Sequence, residues 1–118
     1  VVDVRQNPVS RKKGFSRSKL SEFLASHDIE YLHVRTLGVP KDLRKRLHDG
    51  TCGLADYLEE FQRYIENNTE AVADLYDLAT RKRCCLICVE QRPEECHRSV
   101  VARAVSSFNG QAVEIVDV

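Results

Sequence analysis

The run Cys84-Cys85-Leu86-Ile87-Cys88-Val89 is apolar on both faces of the strand it would form. Antiparallel sheets with one wet face alternate apolar and polar residues, whereas parallel strands covered on both sides read as near-continuous apolar runs. Residues 84–89 are therefore expected to be a central strand of a mostly parallel sheet, which commits the chain to helical crossovers. A polar stretch, Glu90-Gln91-Arg92-Pro93-Glu94-Glu95, leads to Cys96-His97-Arg98, and Val100, Val101, Ala104, Val105 and Phe108 then recur at helical spacing. Asn109-Gly110 is the expected end of that helix and residues 112–118 a last strand.

The rest of the chain alternates in the same way. Residues 1–4 form a short β-type run, with Asp3 and Arg5 on one face because side chains alternate along a strand. Asn7-Pro8 turns the chain into the basic loop Arg11-Lys12-Lys13-Gly14. Ser16 or Ser18 is suited to cap a helix whose Leu20, Phe23, Leu24 and His27 share a face. Residues 29–34 read as a second strand that would bury His33. Residues 35–53 lack a clear period, although 42–48 suit a short helix. Leu54, Tyr57, Leu58, Phe61 and Ile65 mark an amphipathic helix broken by Asn67-Asn68. Thr69 is the expected cap of another, with Val72, Leu75, Tyr76 and Ala79 on its buried side. The order β-α-β-loop-α-α-β-α-β predicts a single Rossmann-like α/β domain over residues 1–118, with a mostly parallel sheet and right-handed crossovers. The chain opens within a strand, so a strand-helix unit is expected to precede it in the natural protein.

Composition narrows the function classes. The 18 basic and 18 acidic residues cancel, so nucleic acid is not supported as a partner by net charge. No run of about 18 apolar residues suggests a membrane span. Five cysteines, an odd number largely in apolar context, suit a reducing, cytoplasmic setting better than a disulfide scaffold.

In an open α/β sheet, ligands bind beyond the carboxyl ends of the strands. The spacing C-x-E-x5-C-H-R from Cys88 to Arg98 collects thiols, a carboxylate, an imidazole and a guanidinium at such an edge. Cys88, Glu90, Cys96 and His97 are the candidate catalytic residues. A thiol near a helix start and an imidazolium is biased towards thiolate, which makes Cys96 a better candidate nucleophile than Cys84 or Cys85. Glu90 suits a general base or an orienter of the imidazole. Asp3, Arg5, Arg11 and Arg98 are the candidate substrate-binding residues, and basic residues in the loops after the first two strands favour a small anionic ligand, phosphorylated or nucleotide-like. Asp3 and Arg5 suit a structural ion pair equally well.

Two further readings use the same residues. Cys88, Cys96 and His97 suit a metal or redox site, and the basic side chains suit a non-catalytic anion or nucleic-acid binding module. A closed structural zinc takes four ligands and the motif alone offers three, so no metal ligand is assigned and little tightly bound metal is expected. His48 and Cys52 are the residues that would complete such a set. No motif names a cofactor: G-x-G-x-x-G is absent, which argues against a nicotinamide enzyme. A phosphatase-type C-x5-R loop is absent too, since Glu94 stands six residues after Cys88.

The motif at Cys88, Glu90, Cys96, His97 and Arg98 resembles the signature of domain of unknown function 488. The likeness extends to residues 1–5, Pro8, Arg11 and Gly14-Phe15, and to residues 29–34 with Leu37-Gly38. This resemblance implies a three-layer α/β fold and a prokaryotic-type cytoplasmic protein. It implies no particular reaction. The family pattern usually has an acid where this chain has Arg92.

Overall fold

The computed structural model describes residues 1–88, 96–108 and 113–116. Within them three short parallel strands, β1 (Val2–Asp3), β2 (Leu32–His33) and β3 (Leu86–Ile87), form a sheet in the order β2-β1-β3. Val2 pairs with Leu32 and Leu86, and Asp3 with His33 and Ile87. The ladder extends slightly further, through Val2 N–H to Cys85 O at 2.8 Å and Val4 N–H to Ile87 O at 3.2 Å. The fold is thus mixed α/β, a small parallel sheet flanked by helices.

Among the described residues the central strand is β1, not the 84–89 run. The reason lies in burial. Val2, Asp3, Val4 and Arg5 are all nearly inaccessible, because Asp3 and Arg5 neutralise each other and let a polar face be covered. Leu86 and Ile87 are only half-buried, and Cys85 is exposed. Residues 113–116 carry no strand, and the rest of the expected last strand lies outside the described residues, as do Asn109 and Gly110.

The helices are α1 (Arg17–Ala25), α2 (Lys41–His48), α3 (Leu54–Glu66), α4 (Thr69–Arg81) and α5 (Arg98–Ser107). Residues 35–53 are more regular than their sequence suggests, holding a 3-10 turn at Arg35–Leu37 as well as α2. Arg46 of α2 makes a bidentate contact with Glu60 of α3 at 2.7 and 3.0 Å. The α3 stripe of Tyr57, Phe61 and Ile65 is buried at successive fourth positions, and α5 packs against both α3 and α4. The resulting core joins Val2 and Val4 to Leu37, Val39, Leu43, the α3 stripe, Val72, Leu75, Val100, Val101 and Val105.

Two local expectations are corrected, and Ser16 takes the expected N-cap position of α1 without its side-chain bond. Phe23 is 61% exposed; only Leu20 and Leu24 of α1 are buried, and Phe23 instead meets the His27 ring at a tilt of 44°, with centroids 4.7 Å apart. Ser16 sits at the N-cap of α1 without a capping bond, because its Oγ accepts from Ser10 N–H at 3.0 Å. The N-cap of α4 is Asn68 and not Thr69, its amide donating back to Tyr64 O at 2.8 Å.

One glycine matters for the site. A Cβ on Gly38, which follows the 3-10 turn, would lie 2.4 Å from Gln6 N and 2.6 Å from Gln6 Cα. Backbone cannot yield as a flexible side chain does, so Gly38→Ala is expected to cost about 1–3 kcal/mol by overpacking. Urea unfolding measures this, and a variant as stable as the parent would show that the chain after β1 can shift freely.

Candidate functional site

Cys88 follows β3 directly, while Cys96 and His97 open α5. Strand end and helix start meet because α5 returns over the sheet, its Val101 fully buried one turn beyond His97. His97 is fully buried and Cys96 is 1% exposed, whereas Cys88 is half-buried. The ring of His97 meets Phe61 edge-on, with centroids 5.1 Å apart.

The contacts of this imidazole decide its chemistry. Its Nε2 lies 2.8 Å from Val4 O, and a carbonyl only accepts, so Nε2 carries the hydrogen. In the neutral ring Nδ1 is then the lone-pair nitrogen, and it lies 3.4 Å from Cys88 Sγ and 3.6 Å from Cys96 Sγ. All three donor atoms are within 4.8 Å of one another. Cys96 Sγ also accepts Arg98 N–H at 3.5 Å, a contact that suits negative charge on sulfur. The hydrogen bond with Cys96, together with burial, pushes the Cys88 thiol far above its usual range, although His97 pulls the other way.

Asp3 closes β1, and Arg5 lies two residues beyond it. Arg5 Nε and Nη2 donate to Asp3 Oδ1 and Oδ2 at 2.8 and 2.7 Å, and Nη1 donates to Phe15 O at 2.8 Å. Tyr31 OH donates to Asp3 Oδ2 at 2.5 Å. Burial alone would raise the Asp3 carboxyl, but the hydrogen bonds from Arg5 and Tyr31 outweigh it and hold the group below its ordinary value. Burial, then the bond to Asp3, pushes the Tyr31 hydroxyl up to about 12. His33 is half-buried, its Nε2 donating to Arg5 O at 2.7 Å.

The expected site residues therefore divide. Cys88, Cys96 and His97 are brought together. Arg98 is the first residue of α5 and lines, with Arg5, Lys12, Cys88 and Ser99, a cleft that Leu86 and Ile87 of β3 also line. Arg11 is exposed in the loop after β1. Glu90 lies outside the described residues. Among the described residues the metal-capable group is Cys88, Cys96 and His97, and neither His48 nor Cys52 belongs to it. The expected contrast between thiols is also modified, since Cys85 is exposed and Cys96 buried, so access opposes the advantage of Cys96 as a nucleophile. Sequence reasoning missed the carbonyl of Val4, since a backbone acceptor leaves no residue signature, and it missed Tyr31 as a partner of Asp3.

No helix among the described residues is long and apolar enough to cross a membrane. No curated protein and no solved structure matches the chain. The family described as Domain of unknown function DUF488 matches residues 1–105, a span that includes β1, the Cys88 strand end and the Cys96-His97 helix start. By that match over most of its length, with the motif residues in place, the chain belongs to the DUF488 family.

Proposed function

We propose that the Cys88–Cys96–His97 centre binds a thiophilic divalent metal ion of the zinc class, through the two Sγ atoms and His97 Nδ1. One observation carries this reading. In a tetrahedral site with metal–nitrogen distances of about 2.0–2.1 Å and metal–sulfur distances of about 2.3 Å, nitrogen and sulfur ligands stand about 3.5 Å apart. The distances from Nδ1 to the two sulfurs are 3.4 and 3.6 Å. The bond from Nε2–H to Val4 O matches the backbone-carbonyl anchor that ligating histidines use. The expectation of little bound metal rested on the count of three donors. Three protein ligands with an exchangeable fourth are the pattern of catalytic zinc, where the ion polarises a carbonyl or makes bound water more acidic.

A second reading, an enzyme acting on a phosphorylated or nucleotide-like anion, is supported by Arg5, Lys12 and Arg98 lining the same cleft as Cys88. On that reading the sheet edge is the ligand edge of a Rossmann-like, three-layer domain. Five free cysteines support a reducing, cytoplasmic setting for both readings.

Cobalt is the direct probe. Titration of Co²⁺ into reduced protein should saturate at about one ion per chain, with sulfur-to-cobalt charge-transfer absorption and tetrahedral d–d bands that Zn²⁺ abolishes. Cys88→Ser and Cys96→Ser should each weaken the charge-transfer band, while Cys85→Ser should leave it intact. Failure of the parent to develop these bands would remove the metal reading.

A further inference from the structure

The Val4–Arg5 peptide unit has a polar partner on each side. Its carbonyl accepts His97 Nε2–H at 2.8 Å, and its N–H donates to Asp3 Oδ1 at 3.1 Å. A trans peptide is planar, with C=O and N–H pointing in opposite directions, so fixing one end aims the other. Both contacts are buried. The Asp3 carboxylate is itself held by Arg5 and Tyr31, and the following carbonyl, of Arg5, is held by His33. Every atom that sets the tilt of this peptide is therefore fixed.

We infer that Asp3 is a positioning residue for the centre, acting through the Val4–Arg5 peptide to orient His97 and to strengthen Nδ1 as a donor. The inference rests on the metal reading. Ligating histidines commonly give their second N–H to a carboxylate or a carbonyl; here the carbonyl comes first and a carboxylate stands behind it, across one peptide unit. Negative charge at the N–H end polarises the peptide and increases the acceptor strength of its oxygen, as hydrogen bonds in a chain reinforce one another. A stronger acceptor draws the Nε2 hydrogen and enriches the ring. Asp3 thus serves the centre without touching the ion that would bind there.

Two measurements test the relay. Asp3→Asn keeps an oxygen for the Arg5 N–H but removes the charge, and is expected to weaken Co²⁺ binding by about 10- to 100-fold, the usual consequence of losing an outer-shell partner, with a displaced d–d band. Thermal melting of the same variant reports whether it is folded. In the parent, Zn²⁺ added to ¹⁵N-labelled protein should move the Arg5 backbone amide and the His97 Nε2–H resonances in concert, a readout independent of any variant. Folded Asp3→Asn with parental affinity and spectrum, or an Arg5 amide that stays still while His97 shifts, would overturn the relay and leave the metal reading standing. A parent that binds neither ion removes both.

Discussion

Replacing His97 by alanine is expected to abolish metal binding and to destabilise the fold by about 3–5 kcal/mol. The ring is fully buried, packs edge-on against Phe61 and supplies a buried hydrogen bond to Val4 O. Its removal opens a cavity, which costs about 2 kcal/mol or more, and leaves a buried carbonyl unsatisfied, which costs about 1–3 kcal/mol. Domains of this size are stable by about 5–15 kcal/mol, so the variant sits near the edge of folding. Urea unfolding measures the loss as a lowered midpoint at unchanged slope. A change below about 1 kcal/mol would mean that the ring does not occupy this buried position.

Arg5→Ala is expected to cost about 3–5 kcal/mol at neutral pH, because it strands the carboxylate of Asp3 in a buried site. The side chains concerned are 4% and 0% exposed. The pH dependence identifies the cause. The folded parent holds the Asp3 carboxyl below its ordinary value, so that contribution to stability is fully present above the unfolded-chain value of about 3.9. It is lost as pH falls from there through the lower folded value. Without Arg5 the carboxyl loses its main partner, and protonation relieves the buried charge. The gap in melting temperature between parent and variant should therefore narrow as pH is lowered from 7 towards 4. A gap independent of pH would assign the loss to packing rather than to charge.

The motif was legible in sequence because thiols and imidazoles are rare and their spacing spans one strand-loop-helix transition. Cys88, Cys96 and His97 meet as that reading requires. The α3 stripe was equally plain, since Tyr57, Phe61 and Ile65 declare a face without reference to anything distant. Strand order was not legible. Whether a strand is central depends on two partners elsewhere in the chain, and the alternation Val2, Asp3, Val4, Arg5 reads as one wet face until Asp3 and Arg5 are seen to cancel each other. Phe23 misled for the opposite reason: helical spacing counts apolar residues on a face but does not say how wide a face the neighbouring elements can cover.

The contact between His97 and Val4 spans 93 positions, and it carries a consequence for how the protein is born. Chains emerge from the ribosome at about 5–20 residues per second, with earlier portions free to fold first. The strand at the heart of the sheet is made before both of its partners, which arrive at Leu32 and then at Leu86, and the carbonyl of Val4 waits longer still for the ring of His97. Until synthesis has passed that point the three donor atoms do not exist together. On the metal reading, an ion could be held by all three donors only once residue 97 has been made, and it would then act as a late seal between the end of β3 and the start of α5.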